Sequence, residues 1–387
     1  MNKVCVLGAL GGMGEVALYD LCKMPQVNEI VAIDLNLARK EKVLRRLPAK
    51  HKVKVMALDI RDRARCRKVI GKSTVLINAA WYEFNIEAMH LALALDSHYL
   101  DLGGLYYKTL EQFQLHPHFE RRGLTAILGC GSTPGITNAM AAALTAPMSR
   151  VTKLGVYDAS HDPAAEGAGF LPPFSVRTML DEAEKPAIIL DKGVIKQTAP
   201  FSLLERQSFP KPLGTVTLGA MLHSELATLP GFLRHKGIKE SFFKIYYPEK
   251  IRVTLGVLVD AGLSSSQPVK VNGSKVSPRQ LLTVMAQQSL TQAPTGQPKD
   301  FEVLRVTAHG KRDDKSVLRT MDCRIKPQDS MSAGARGVGL AASCITELIL
   351  NGKVTGPGVW APERAFAPEA LFAALVKRRG YKFDTKE

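Results

Sequence analysis

The chain has 387 residues, of which 45% are hydrophobic and 23% are charged. This length and composition are ordinary for a globular protein with two domains and large cores. Its six cysteines show no CxxC or Cys/His spacing, which predicts reduced thiols and argues against a disulfide framework or a zinc site, so no metal is expected. No uncharged apolar run reaches membrane-spanning length, and the N-terminus leaves no room for a signal peptide ahead of the first predicted strand. We therefore expect a cytoplasmic protein without a membrane partner.

The formal net charge is +16, and such a basic chain raises the question of nucleic-acid binding. The basic residues are spread along the chain, with only short groups such as Arg61–Lys68 and 377–379. Aromatic residues make up 6% of the chain, and none alternate with these groups. A basic field that attracts carboxylate substrates and a dinucleotide explains the charge as well, so nucleic acid is an unfavoured partner.

The first elements predict half of a dinucleotide-binding unit. Val4–Leu7 is a short apolar strand, a glycine-rich turn follows it, and Glu15–Met24 has the apolar pattern of a helix. Glycines at such a turn allow a tight bend and close approach of a pyrophosphate to the helix N-terminus. The spacing is GxxGxxG, one residue longer than the usual first interval. The predicted cofactor contacts in this turn are Gly8, Leu10, Gly11, Gly12, Met13 and Gly14.

A second strand, Glu29–Leu35, ends on Asp34, twenty residues after Gly14. An acidic residue at this position accepts hydrogen bonds from the adenosine ribose, which favours NAD over NADP. We expect Asp34 and Leu35 to contact the cofactor. Arg39 and Lys40 follow closely and could meet a 2′-phosphate, so NADP stays possible.

Strands and helices continue to alternate as far as the strand Leu124–Leu128, which predicts a doubly wound parallel sheet of the Rossmann type. Ligands bind at the carboxyl ends of such strands. The third strand leads to Asp59 and Ile60, a common place for contact with adenine. The fourth leads to a loop expected on the nicotinamide side. The cofactor contacts predicted in that loop are Asn78, Ala79 and Ala80.

The alternation stops after about residue 150, and strands joined by proline-rich and glycine-rich loops predict an inserted α+β domain. Within it, 261–278 and 287–299 are polar and are expected to be surface loops. The helical stretch 332–350 and the segment after it return to the first domain. We expect a discontinuous dinucleotide-binding domain over 1–138 and 333–387, and a substrate-binding and dimerisation domain over 139–332.

Three segments resemble the saccharopine dehydrogenase-like reductases, a family that includes lysine 6-dehydrogenase and carboxynorspermidine dehydrogenase. They are the N-terminal VLGALGGMG turn with Asp34, the GCGSTPGITN segment at 129–138, and GKVTGPGV at 352–359 followed by Ala361–Glu363. The likeness covers nearly the whole chain. Within the family, 223–225 with 228–230, and 243–248, look most similar to lysine 6-dehydrogenase.

The resemblance implies NAD(P)-dependent oxidation of an amine or its reductive formation, with hydride passing between the amine carbon and nicotinamide. It also implies a homodimer, an amino-acid or polyamine substrate, and cofactor contacts from Gly131 and Pro134. Saccharopine reductases carry an aspartate before the proline-glycine pair, whereas this chain has Thr133. Threonine is no acid or base near neutral pH, which disfavours saccharopine itself.

Amine oxidation needs a group that takes a proton from the ammonium, whose ordinary pKa is about 10.4. The candidates are Asp101, at the end of a strand, and His223, beside Glu225. Asp101 could equally cap the turn at 103–104, and His223 could be structural. Arg177 and Lys244 could bind a carboxylate, although both could face solvent. The full set of predicted substrate contacts is Thr133, Asn138, Ser175, Arg177, Glu225, Lys244 and Tyr246.

Two interpretations from other classes remain open. A non-catalytic sensor or scaffold of the same fold would bind NAD(P) but have no convergent polar groups in the cleft between its domains. A nucleic-acid-binding protein would have a continuous basic face and salt-dependent binding.

Overall fold

The computed structural model describes residues 1–163, 175–291 and 296–387. The strands in this part of the chain are β1 (Asn2–Leu7), β2 (Val27–Asp34), β3 (Val53–Ala57), β4 (Val75–Asn78), β5 (His98–Asp101), β6 (Thr125–Ile127), β7 (Arg150–His161), β8 (Ala187–Asp191), β9 (Val194–Thr198), β10 (Glu205–Ser208), β11 (Thr215–Ala220), β12 (Glu240–Ile245), β13 (Val269–Val271), β14 (Ser274–Val276), β15 (Phe301–Arg312), β16 (Lys315–Ile325), β17 (Gly358–Trp360) and β18 (Tyr381–Lys386).

The helices in the same part of the chain are α1 (Gly12–Lys23), α2 (Lys40–Arg46), α3 (Arg63–Ile70), α4 (Asn85–Ala94), α5 (Leu105–Phe113), α6 (His116–Arg121), α7 (Ile136–Thr145), α8 (Val176–Glu184), α9 (Glu225–Phe232), α10 (Glu249–Asp260), α11 (Pro278–Thr291), α12 (Ala333–Leu350), α13 (Pro362–Ala365) and α14 (Pro368–Lys377).

The first sheet is parallel throughout and has the strand order β17-β6-β5-β4-β1-β2-β3. Its strands are short apolar runs, as expected where helices cover both faces. In the register, Leu7 lies beside Ile33 and Asn78, and Asn78 lies beside Asp101. The loops that follow β1, β2, β4 and β5 therefore leave the sheet at one edge, and the predicted Rossmann-type sheet is confirmed.

The second sheet is mixed and has the order β10-β11-β12-β7-β15-β16-β18, with β8 and β9 attached beside β12. Most neighbours are antiparallel, and β12 and β7 are parallel. This is the α+β domain that the sequence predicts. The last strand, β18, pairs with β16 in this second sheet, whereas β17 joins the parallel sheet. Strand β17 thus lies at the edge of the parallel sheet, and β18 extends the antiparallel ladder, so residues 333–387 contribute a strand to each sheet. The predicted boundaries at 138 and 333 stay predictions.

The two stretches predicted to be surface loops contain regular structure. The first includes the hairpin β13–β14, which turns at Asn272 and Gly273, both with positive φ. Asn-Gly is the residue pair that such a turn favours. The second overlaps the end of α11, which continues to Thr291. The loop prediction was wrong there because polar residues at helix surfaces resemble loop composition. Residues 292–295 lie outside the described residues.

Helix α12 is the one described helix long and apolar enough to cross a membrane, and 72% of it is buried inside the protein. A Cβ at Gly339 would lie 2.6 Å from the carbonyl oxygen of Met13, so α12 packs very closely on the start of α1. It is the core helix that joins the glycine-rich turn to the second sheet.

Candidate active site

The glycine-rich turn is shaped to receive a pyrophosphate. Gly8 has φ of +66°, and a Cβ there would lie 2.7 Å from the carbonyl oxygen of Ala79. A Cβ on Gly14 would overlap the carbonyl oxygen of Gly8, whereas one on Gly12 would meet no atom within 4 Å. Helix α1 has no side-chain cap at Gly11, so its first N–H groups are available to an anion. These residues fit a bound dinucleotide, with the open space over Gly12.

Asp34 ends β2 beside this turn. Its Oδ2 accepts from the backbone N–H of Leu10 at 3.1 Å, and its Oδ1 accepts from Asn36 at 3.2 Å. Arg39 reaches the same place, donating to the Leu10 carbonyl at 2.6 Å and to Glu15 at 2.7 Å. The carboxylate of Asp34 and the guanidinium of Arg39 thus flank one loop, and this loop could bind either NAD or NADP.

The other predicted cofactor contacts lie at the same sheet edge. Asp59 pairs through two oxygens with Arg61, which holds the pKa of Asp59 at about 2. Ile60 is buried in the core, and Leu35 is exposed. Asn78 donates to Asn85 at 2.8 Å and accepts from the N–H of Ala80, which shapes the loop after β4. Their contacts with the cofactor stay predictions.

A cavity of about 420 Å³ lies between the parallel sheet and the second sheet. Its lining from the first domain includes Met13, Ala79, Ala80, Trp81, Tyr82, Gly103, Ser132, Thr133 and Pro134. Its lining from the second domain includes Asp158, Ser160, Asp162, Ser175, Glu182, His223, Tyr247, Asp300 and Glu302. The predicted nicotinamide loop thus opens on a space with convergent polar groups, unlike the cleft expected of a scaffold.

The cavity is acidic although the chain is strongly basic. Within residues 1–163, 175–291 and 296–387, five carboxylates line it and no lysine or arginine does: Asp158, Asp162, Glu182, Asp300 and Glu302. Burial raises the pKa of Glu182 to about 7 and raises those of Asp158 and Glu302. Desolvated carboxylates of this kind gain most from a cationic ligand.

His223 lies among these acids. Its Nδ1 is hydrogen-bonded to Glu225, and its ring stacks on Phe243 with centroids 4.0 Å apart. Burial opposes the imidazolium, but the charge and hydrogen bond of Glu225 outweigh it and raise the pKa of His223. Glu225 also accepts from Thr137 at 3.0 Å. The Glu225 bond leaves Nε2 as the ring nitrogen free to exchange a proton with a ligand.

Asp101 is fully buried behind the cavity. Its carboxylate accepts from the backbone of Gly103 at 2.9 Å and Gly129 at 2.8 Å, and from Gln112 at 2.6 Å. Burial raises its pKa, although these bonds favour the charged form. This geometry matches the capping alternative, because the carboxylate ties together two cavity loops.

The predicted substrate contacts divide into two groups. Thr133 and Ser175 line the cavity, and Thr133 donates to Asp158 at 3.3 Å. The guanidinium of Arg177 lies 5.2 Å from the ring of Trp81, a lining residue. The remaining four lie outside the cavity lining that the described residues form, and Glu225 among them is bonded to His223 and Thr137. Asn138 donates to Glu363 at 2.8 Å, Lys244 pairs with Glu205 at 2.6 Å, and Tyr246 packs with the cluster around Tyr157 and Phe242.

The sequence interpretation missed the acidic residues and Tyr247, whose hydroxyl donates to Glu182 at 3.2 Å. One signal was present: Asp158 and Glu302 are each the only acid in their strand, and each has apolar residues next to it in the sequence. Such residues are rarely buried without a partner or a function. Of the two neighbouring tyrosines, Tyr247 lines the cavity, whereas the predicted residue Tyr246 packs in the cluster around Tyr157 and Phe242.

Comparison with known proteins gives two family matches. The saccharopine dehydrogenase NADP binding domain matches residues 4–127, and the saccharopine dehydrogenase C-terminal domain matches residues 131–381. Among curated proteins, carboxyaminopropylagmatine dehydrogenase of Synechocystis sp. is 25% identical over 77% of this chain and 76% of its own length. Carboxynorspermidine synthase of Vibrio cholerae is 24% identical over 94% and 92%.

Two solved structures share the fold. Saccharopine dehydrogenase (L-Glu forming) of Saccharomyces cerevisiae has a TM-score of 0.75 at 17% identity, covering 100% of both chains. Homospermidine synthase of Legionella pneumophila, in complex with NAD, has a TM-score of 0.72 at 12% identity, covering 100% of this chain and 91% of that one.

Proposed function

The chain belongs to the saccharopine dehydrogenase family, whose members are NAD(P)-dependent oxidoreductases of CH–NH groups, and we propose that its substrate is a carboxylated polyamine. The acidic cavity carries this proposal. Saccharopine bears three carboxylates, which five lining carboxylates without a lining lysine or arginine would repel. A polyamine offers several ammonium groups to the same surface. The two curated relatives, named for carboxynorspermidine and carboxyaminopropylagmatine, support this choice.

The bound dinucleotide supplies hydride exchange at nicotinamide C4, and the residues of this chain would do the rest. Gly8–Gly14 and the helix N-terminus would hold its pyrophosphate, and Asp34 its ribose. The loop 79–80 with 131–134 would place the amine carbon beside the ring. Asp158 and Glu182 would hold the ammonium while the cavity excludes water. His223 Nε2 would take a proton from the amine in oxidation and return it in reduction.

Arg177 is the proposed partner of the substrate carboxylate. Its guanidinium lies over Trp81 at the cavity, and α8, which begins at Val176, carries it there. An arginine at this point can bind a carboxylate through two parallel hydrogen bonds. Asn138, Lys244 and Tyr246 receive no role in this proposal, because Asn138 pairs with Glu363, Lys244 pairs with Glu205, and Tyr246 packs in the cluster around Tyr157 and Phe242.

A substrate screen tests the proposal. The purified protein is mixed with carboxynorspermidine, saccharopine or lysine and with NAD⁺ or NADP⁺, and dinucleotide reduction is followed by absorbance. We expect reduction with carboxynorspermidine and a much lower kcat/KM with saccharopine. Reaction mixtures without amine are the control. Faster turnover of saccharopine, or none of any amine, would contradict the proposal.

We also propose that the protein is a cytoplasmic homodimer. All six cysteines are free and buried, which suits a reducing compartment. Apolar side chains about half exposed on α10 and α11 support a self-association surface in the second domain: Val253, Val257, Leu281 and Val284. Sedimentation of the full chain and fractionation of source cells test the two statements. A monomer at micromolar concentration, or recovery outside the cytoplasm, would refute them.

A further inference from the structure

Glu302 is buried at the cavity without a partner for one of its oxygens. The residue is 4% exposed, and its Oε2 has no hydrogen-bond partner. A Cβ on Gly337 of α12 would lie 2.8 Å from this oxygen, so the space for the carboxylate exists because α12 has a glycine there. A buried carboxylate oxygen left unpaired costs free energy unless a ligand pairs with it.

The charges that act on Glu302 come from two further acids, Asp158 and Asp300, and these make ionisation harder. Asp300 also lines the cavity, and its Oδ1 is buried without a partner while Oδ2 accepts from Gly334 at 3.1 Å. Within the described residues, no lysine or arginine lines the cavity beside these three acids.

The strand pairing fixes how these acids are spaced. Glu302 on β15 lies opposite Ser160 on β7, and Asp158 lies one pleat further along β7 on the same face. Diagonal neighbours of this kind are separated by roughly 7–8 Å. Asp158 contacts Thr133 and is close to His223, whereas Glu302 lies toward the start of α12. The same face of the sheet therefore presents two carboxylates at neighbouring positions, so two cationic groups of one ligand could each meet one of them.

We propose that Glu302, supported by Asp300, binds a second ammonium group of the substrate, remote from the reacting nitrogen held near Asp158 and His223. This subsite rests on the proposed function and adds to it that the enzyme selects substrates whose amine arm ends in a cation. A monoamine arm of equal length would leave Glu302 unpaired and would be disfavoured.

Kinetics with matched substrates test the subsite. Carboxynorspermidine is compared with its analogue in which hydrogen replaces the terminal ammonium. In the unmodified enzyme we expect kcat/KM to be at least about tenfold higher for the ammonium substrate. Glu302→Gln should remove this preference by lowering kcat/KM for carboxynorspermidine alone. Glu249→Gln, whose side chain is 84% exposed, is the control and should keep the preference.

Equal losses for both substrates in Glu302→Gln would overturn the subsite and indicate a role at the reacting atoms. No loss would also overturn it. If neither substrate turns over, the proposed function has failed. Calorimetric binding of propane-1,3-diamine and of propylamine to the full chain then still tests whether Glu302 binds a second ammonium group. The subsite predicts tighter diamine binding that Glu302→Gln abolishes, and equal binding of both amines would overturn it.

Discussion

The hydroxyl of Tyr82 donates to Asp181 at 2.7 Å and so joins the loop after β4 to helix α8 of the second domain. Arg279 on α11 donates to the other oxygen of Asp181 at 2.7 Å, and Lys185 donates to the Tyr82 hydroxyl at 3.1 Å. Because Tyr82 lines the cavity, this bond connects the loop after β4 to the cavity wall that carries Glu182.

Removing the Tyr82 hydroxyl should cost little stability. Tyr82→Phe is expected to lower the free energy of unfolding by about 1 kcal/mol, since Asp181 keeps Arg279. Asp181→Ala should cost about 3 kcal/mol, because the buried guanidinium then loses a partner. Urea unfolding of both variants measures the difference. A larger loss in Tyr82→Phe than in Asp181→Ala would contradict this ranking.

His223→Gln should lower kcat for amine oxidation by about 10²–10⁴-fold, because glutamine cannot take up the proton that His223 Nε2 would accept from the amine. Dinucleotide affinity should not change. In the unmodified enzyme the rate should rise with pH as His223 loses its proton, with a midpoint above the ordinary histidine pKa of about 6.5, since Glu225 raises it. Exposed His235 replaced by Gln is the control. An unchanged pH profile in His223→Gln would exclude the role.

Glu182→Gln should change how stability depends on pH. Folding raises the pKa of Glu182 from 4.5 to about 7, so the folded state holds this proton more tightly than the unfolded state. The stabilisation that the protonated Glu182 carboxyl contributes is fully present below the pKa of the unfolded state, and it is lost as pH rises through about 7. Glutamine does not ionise, so the variant lacks this loss. As pH rises from 4.5 to 8, its free energy of unfolding should therefore increase by roughly 3 kcal/mol relative to that of the unmodified protein.

Unfolding midpoints in denaturant across that pH range provide the measurement. Glu184→Gln, on the same helix but with a side chain 44% exposed, should show no such gain. The same gain in both variants would assign the effect to general charge and not to the buried carboxyl.

The glycines of the turn should separate fold from ligand binding. Gly14→Ala should lower stability by about 1–3 kcal/mol, because its Cβ would overlap the Gly8 carbonyl. Gly12→Ala should leave stability unchanged, because its Cβ meets no atom within 4 Å, and should weaken dinucleotide binding at least about tenfold. Thermal melting and fluorescence titration with NADH measure the two effects. Unchanged dinucleotide affinity in Gly12→Ala would show that the pyrophosphate does not bind over Gly12.

Asp34→Ala should weaken NAD binding much more than it weakens the fold. The carboxylate is half-buried and accepts backbone hydrogen bonds from Leu10 and Asn36. NADP should lose less affinity, since its 2′-phosphate would face Arg39 without the nearby acid. Paired titrations with both dinucleotides are the measurement, with exposed Glu41→Ala on α2 as control. If Asp34→Ala binds NAD as tightly as the unmodified protein does, Asp34 does not bind the adenosine ribose.

The parallel sheet could be predicted because its signals are local. Each strand is a short apolar run, and Gly8 and Gly14 are required by backbone contacts within one turn. The expected cofactor contacts of Asp34 and the loop at 78–80 rest on the rule that ligands bind at the carboxyl ends of parallel strands, and they stay predictions. Periodicity and turn chemistry contain this information within about thirty residues.

The acidic cavity could not be predicted in the same way. Asp158 and Glu302 come together only because β7 and β15 pair antiparallel, and nothing local in either strand fixes that register. The net charge of +16 suggested a basic site, yet overall charge does not report the charge of one cavity. The sequence leaves Lys244 available for a substrate carboxylate, but in the structure it forms an ion pair with Glu205.

The strand β18 has a consequence for how the two domains can move. The backbone passes between the sheets three times in the described chain: between α7 and β7, between β16 and α12, and between α14 and β18. Three separate crossings restrain relative motion to rotation about a line near them, unlike the free swing of a single linker. A protease cut at any one crossing leaves at least one fragment that spans both sheets. Opening of the cavity should therefore be a small, hinged movement that survives a nick in the backbone.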